Sequence, residues 1–218
     1  VNILESSGSG ITVFDYDGDQ HMDLYLMNGT WLEGISDEEG IVFKDTPNKL
    51  YRNKGDGTFE ELAAQAGVDD RHWSMAAGAV DYDLDGDPDL YVVNFSAPNR
   101  LYRNEGNGRF SDVTAEAGLG RYLNSIVANA FDYDLDADLD LFLGNYFAPV
   151  NLFAPDTPRF FPESFETAQN GGGMTVFRND GDLRFTDVTA EAGIRLSGWT
   201  LDLGHADADH DGDDDGYV

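Results

Sequence analysis

Two short blocks recur along this chain, and a repeat period constrains the fold more than any single motif does. The first block reads Leu50-Tyr51-Arg52-Asn53 and then Gly57-Thr58-Phe59. It returns as Leu101-Tyr102-Arg103-Asn104 with Gly108-Arg109-Phe110, and as Val176-Phe177-Arg178-Asn179 with Leu183-Arg184-Phe185. Each copy runs into an Ala-Gly pair, at Ala66-Gly67, Ala117-Gly118 and Ala192-Gly193. The second block is an acidic loop that begins at Asp15, Asp81, Asp132 and Asp207. From the Arg of each first block to the first Asp of the next loop the interval is 29 residues in all three copies. From loop to following Arg it varies, at 37, 22 and 46 residues, so insertions enter only after the strand that leaves the loop.

Within one repeat the sequence predicts four short strands, in the second copy over 75–82, 90–95, 100–104 and 109–114. The first two flank the acidic loop and the last two flank the turn Gly106-Asn107-Gly108. Gly next to Asn or Asp between apolar runs signals a hairpin, because these residues accept the positive φ of tight turns. Two hairpins per repeat make a four-stranded antiparallel unit, which matches a blade of a β-propeller. The expected fold is therefore all-β, a single partial propeller over 1–218 with repeats at 8–66, 73–117, 124–192 and 197–218. Propellers usually close with four to eight blades. About three and a half blades are expected here, and they read as a fragment of a six- to eight-bladed ring with open edges. A complete protein of this length would leave a strand edge exposed.

The formal charge is −29, from 42 acidic and 13 basic residues. The acidic residues concentrate in the four loops, each bracketed by apolar residues, which is the pattern of a binding site and not of an acidic tail. Nucleic acid is excluded as a partner, because phosphate binding relies on clustered Lys and Arg and no basic patch exists. The absence of Cys removes disulfides and thiolate metal sites. No apolar run reaches the roughly 18 residues of a membrane helix, and the residues from Val1 onward show no basic segment followed by an apolar one.

Counted from its first Asp, the first loop places Asp15, Asp17, Asp19 and Asp23 at positions 1, 3, 5 and 9. The others place Asp81, Asp83, Asp85 and Asp89; Asp132, Asp134, Asp136 and Asp140; and Asp207, Asp209, Asp211 and Asp215 at the same positions. Carboxylates on alternate residues of a tight turn converge on one point, and without a cation they repel one another. An oxygen-only set with no Cys and no paired His selects a hard ion. Calcium, with its six to eight oxygen ligands, fits better than magnesium, giving up to four sites. A backbone carbonyl is expected from position 7, which is His21, Asp87, Asp138 or Asp213. The opening Asp-x-Asp-x-Asp also begins an EF-hand, but the bidentate Glu that an EF-hand needs at position 12 is replaced by Leu26, Val92, Leu143 and Val218. Position 6 favours positive φ, so the loops with Gly86 and Gly212 rank above those with Gln20 and Ala137.

Phe14-Asp15-Tyr16-Asp17, Leu101-Tyr102-Arg103-Asn104 and the run from Phe185 to Gly193 resemble the FG-GAP or VCBS-type repeat family, and in particular its cartilage acidic protein-like branch. The resemblance covers nearly the whole chain. It implies a propeller like that of the integrin α-subunit head, with calcium in β-hairpin loops held by the Asp residues at positions 1, 3, 5 and 9. It also implies an extracellular or periplasmic (secreted) setting and a role in cell adhesion or ligand binding.

His21, His72, His205 and His210 form no recognisable site, and Trp73 and Trp199 stand at equivalent points eight residues before a loop. Arg52, Arg103 and Arg178 are expected to pair with blade carboxylates. The insertion 144–173 holds Phe147, Phe153, Phe160, Phe161 and Phe165 with four prolines. It reads either as a surface for an extracellular protein or glycan, or as a flap over a neighbouring blade edge. The function expected is a calcium-stabilised extracellular binding module that is not an enzyme. The alternative is a propeller-based polysaccharide lyase or hydrolase whose catalytic residues lie outside this segment.

Overall fold

Residues 89–94, Asp-Leu-Tyr-Val-Val-Asn, are buried along their whole length, which is the condition of a strand covered on both faces. The computed structural model of the chain, which describes residues 10–29, 46–151, 169–212 and 214–217, shows how that burial arises. The first sheet comprises β1 (Ile11–Phe14), β2 (Asp23–Leu26), β3 (Lys49–Asn53) and β4 (Phe59–Glu61) in that order, all antiparallel. A four-residue helix, α1 (Ala63–Ala66), follows and ends at Gly67, whose φ of 86° continues the chain in the left-handed region. The second sheet runs β5 (Ser74–Val80), β6 (Asp89–Asn94), β8 (Arg100–Asn104) and β9 (Phe110–Asp112). The third runs β10 (Tyr122–Phe131), β11 (Asp140–Phe147), β12 (Gly173–Asn179) and β13 (Phe185–Asp187). Between β6 and β8 the two residues of β7 (Ala97–Pro98) cross over to pair with the start of β10, tying the second sheet to the third. A last hairpin joins β14 (Gly204–Ala206) to β15 (Asp215–Tyr217).

The chain is thus all-β, three four-stranded antiparallel blades and a further hairpin, in the arrangement of a partial propeller. The crossover of β7 and the short helix were not legible in the strand pattern. Blades stack face to face, and alternate side chains of one strand enter different cores. Leu90 and Val92 pack with Tyr25, Leu50 and Val68 of the first blade. Tyr91 and Val93 pack with Leu141, Leu143 and Phe177 of the third. These four β6 residues are at most 1 % exposed. Burying each large apolar side chain contributes about 1.5–3 kcal/mol, so blade contacts carry much of the stability. Phe131 and Phe142 stack at 3.9 Å and face the last hairpin, where His205 lies flat against Phe131 at 4.8 Å.

Of the insertion 144–173, residues 152–168, with Phe153, Phe160, Phe161 and Phe165, lie outside the described residues. Its described flank joins an aromatic cluster at the end of the blades opposite the acidic loops. There Trp73 meets Phe95, Phe95 meets Phe147, and Trp199 packs on Tyr146 and Phe147 with ring centroids 4.7 to 6.2 Å apart.

Candidate metal centres

Each acidic loop is the tight connection of a hairpin, β1 to β2, β5 to β6, β10 to β11 and β14 to β15. The first Asp folds the loop around itself. Asp81 Oδ1 accepts the Asp85 N–H at 3.1 Å and its Oδ2 accepts the Gly86 N–H at 3.0 Å. Asp15, Asp132 and Asp207 hold the equivalent amides at 2.8 to 3.2 Å. The Asp at position 5 then accepts the amide of position 7, at 2.9 Å in Asp19 and Asp85 and 3.2 Å in Asp136.

Such a winding needs left-handed backbone at two places. Position 6 has φ of 69° at Gln20, 99° at Gly86, 77° at Ala137 and 99° at Gly212. Position 4 has φ of 71° at Gly18 and 59°, 62° and 65° at Leu84, Leu135 and His210. Gln20 and Ala137 therefore adopt the turn that glycine would make freely, at a cost of about 1–2 kcal/mol for a residue with a Cβ. Replacing Ala137 by Gly is expected to stabilise the protein by about 0.5–1 kcal/mol after the added chain entropy is subtracted. Chemical denaturation measures this, and a loss of stability would contradict the reading of the loop.

The carboxylates at positions 1, 3 and 5 converge. One oxygen from each of Asp15, Asp17 and Asp19 lies within 4.8 Å of the others, and the same holds for Asp81, Asp83 and Asp85, for Asp132, Asp134 and Asp136, and for Asp207, Asp209 and Asp211. Asp17 Oδ1, Asp83 Oδ1 and Asp138 Oδ1 are buried and accept no hydrogen bond from the protein. A buried carboxylate oxygen without a donor is costly, and a hard cation is the partner that the donor set fits.

Position 9 is built differently. Asp23, Asp89 and Asp140 are fully buried, and both oxygens of each accept backbone amides. One oxygen takes the position 2 amide, of Tyr16, Tyr82 or Tyr133 at 2.7 to 3.1 Å. The other takes the amide of Asn53, Asn104 or Asn179 at 2.7 to 2.8 Å. Asp215 holds the Ala208 amide at 3.0 Å. This Asp closes the base of the loop and fastens it to the third strand of its blade, and it stands apart from the cluster of positions 1, 3 and 5. At position 7 the His21 and Asp87 side chains lie over the turns at Gly55 and Gly106, where an added Cβ would meet them at 2.4 and 2.6 Å. Asp213 lies outside the described residues.

The Asn of the recurring Leu-Tyr-Arg-Asn block is the functional residue that motif reading passed over. Asn104 Nδ2 donates to Pro88 O in its own loop at 3.1 Å and to Tyr16 O in the first loop at 2.9 Å. Asn179 repeats this toward Leu139 O and, across the blades, Tyr82 O. Recurrence at one place in every copy was the available signal.

The acids report the crowding. Burial, opposed by its two amide bonds and reinforced by Asp83 and Asp85, pushes Asp89 up to about 7. Burial, with Asp136 beside it, pushes Asp138 up to about 6. Asp23, Asp83, Asp134 and Asp140 also lie above their ordinary value of 3.8, with burial the first cause. A carboxyl raised in the folded state binds its proton more readily there than in the unfolded chain, so its contribution to stability falls as pH rises. Metal-free protein is therefore expected to lose stability from these groups between about pH 4 and 7. Saturating calcium should reverse the slope, because the ion requires the deprotonated ligands. Melts at pH 5 and 7.5 in chelator and in calcium measure this, and identical slopes would contradict it.

The loops and blades have counterparts in known sequences. The model of the FG-GAP-like repeat matches residues 37–92 and again 81–143, each match taking in an acidic loop. The chain belongs to the FG-GAP-like repeat family. Among curated relatives of its FG-GAP-like repeats, cartilage acidic protein 1 of Homo sapiens is 35 % identical over 119 residues, which is 51 % of this chain and 18 % of that protein. Cartilage acidic protein 1 of Xenopus tropicalis is 34 % identical over 104 residues, 45 % of this chain and 16 % of that protein. The matched part of the chain spans less than a fifth of either relative. No helix among the described residues is long and apolar enough to cross a membrane.

Proposed function

We propose that this FG-GAP-like repeat segment is a calcium-stabilised extracellular binding or adhesion module, and that its four hairpin loops bind calcium as structural ions. The observation that carries the metal reading is the convergence of three carboxylates in every loop, with buried oxygens of Asp17, Asp83 and Asp138 that no protein donor satisfies. The residues at positions 1, 3 and 5 would hold the ion, with the position 7 carbonyl adding to the oxygen shell, while the base Asp braces the loop from below. Bound calcium supplies charge compensation, which removes the mutual repulsion of the carboxylates and fixes the hairpin carrying two strands of each blade. The likeness to cartilage acidic protein 1 supports a secreted setting, which would supply the millimolar calcium that weak structural sites require. The module would work by binding an extracellular protein or glycan, with no catalytic step, and the insertion 144–173 is the sequence's candidate contact.

Isothermal titration of chelator-treated protein with calcium and with magnesium tests the metal reading. Several calcium ions bound per chain, with magnesium at least tenfold weaker, are expected. Heat signals from magnesium equal to those from calcium, or none from either, would overturn it.

A further inference from the structure

The three recurring arginines do not do the same thing. Arg103 turns along its own strand, with Nε and Nη2 on Glu105 Oε1 at 3.1 and 2.7 Å. Arg178 does likewise with Asp180 Oδ1 at 2.8 and 2.7 Å. Neither forms an ion pair with its own acidic loop among the described residues. Arg52 turns the other way and enters the first loop, with Nε 2.7 Å from Asp17 Oδ2 and Nη2 3.2 Å from Asp19 Oδ2. The backbone around them is equivalent, since Lys54, Glu105 and Asp180 donate their amides to Thr58, Arg109 and Arg184 in the same way. What differs is the side chain two residues after the arginine, an acid in the second and third blades and Lys54 in the first, together with the residue across the strand, Ser111 and Thr186 in those blades and Glu60 in the first. A lysine there offers the guanidinium no acceptor and repels it, and the carboxylates that Arg52 meets instead are those of the loop.

We infer that Arg52 is a built-in counter-cation of the first loop, set there by Lys54, and that this loop binds calcium more weakly than the second and third. The inference rests on the calcium reading of the loops. Binding at the first loop must displace a guanidinium from Asp17 and Asp19, or share both carboxylates with it; among the described residues the second and third loops have no such competitor. Ion pairs as open to water as these compete only weakly with an ion, so the difference in affinity should be roughly three- to tenfold.

The test is a calcium titration of uniformly 15N-labelled protein followed by NMR, in which the Gly18 amide reports the first loop and the Gly86 amide the second. In the parent chain Gly86 is expected to saturate at three- to tenfold less calcium than Gly18. Lys54→Glu should draw Arg52 onto the new carboxylate and bring the Gly18 midpoint down to that of Gly86. Arg52→Gln should do the same by removing the competitor. The reciprocal Glu105→Lys should send Arg103 into the second loop and raise the Gly86 midpoint. Equal midpoints in the parent chain, or midpoints that none of these changes moves, would overturn the role of Arg52 while leaving calcium binding intact. An absence of calcium-dependent shifts at both amides would instead overturn the calcium reading itself.

Discussion

Chelating calcium is expected to lower the melting temperature of this protein by about 10–20 °C, and restoring millimolar calcium should recover it. The size follows from linkage: an ion that binds only the folded state, with a dissociation constant of roughly 10 µM at about 1 mM free ion, adds about 2.7 kcal/mol per site. For a chain of this length each kcal/mol moves the midpoint by about 2–4 °C, so two filled sites account for the shift. The effect should be large because the loops are not peripheral. Positions 1, 3 and 5 put three carboxylates within 4.8 Å in each hairpin. In the first three loops the base Asp is fully buried beneath the strands. Magnesium should recover a few degrees only, since its small octahedral shell keeps much of its water. Melting curves that coincide in chelator, calcium and magnesium would remove the metal from the account.

Replacing Asn104 by Ala should cost about 3 kcal/mol, and replacing Asn179 should cost a similar amount. Asn104 is 1 % exposed, and its side chain donates to carbonyls of two successive loops while its Oδ1 accepts the Gly106 amide at 3.1 Å. Truncation leaves the Tyr16 and Pro88 carbonyls without a donor, and each buried orphan costs about 1–3 kcal/mol. Asn104→Asp should be no better, because it keeps the acceptor but aims a carboxylate oxygen at two carbonyls. Asn53 gives an internal control. Among the described residues its Nδ2 donates to Met22 O in its own loop and to no other blade, and its Oδ1 accepts the Gly55 amide, both in a solvent-exposed setting, so Asn53→Ala should cost less than about 1 kcal/mol. Equal losses at positions 53 and 104, measured by urea unfolding, would show that the contact between blades carries nothing.

Much of this architecture was legible before any coordinates because a repeat multiplies weak signals. The strand pairs around Asp81–Asp89 and around Gly106–Gly108 follow from alternation and turn chemistry, and β6 and β8 fall where those rules put them. The convergence of positions 1, 3 and 5 follows from spacing alone. What spacing does not reveal is direction. Position 9 carries the same residue as positions 1, 3 and 5, yet its oxygens are taken by the amides of Tyr82 and Asn104, a fact of tertiary packing. The left-handed turn at position 4 was hidden because Leu84 and Leu135 are poor indicators of positive φ. The pairing of β7 with β10 rests on two residues, too few for any periodicity to register.

The most direct measurement is an anomalous difference map from crystals of this chain grown in calcium, or in a lanthanide that takes the same oxygen sites. Structural calcium in the hairpin loops requires peaks between the carboxylates of Asp81, Asp83 and Asp85 and of Asp132, Asp134 and Asp136, with weaker density at Asp15, Asp17 and Asp19, where Arg52 competes. Ordered loops with no peak at any of these positions, at calcium concentrations in the millimolar range, would contradict the reading and leave the acidic hairpins as turns held by their own hydrogen bonds.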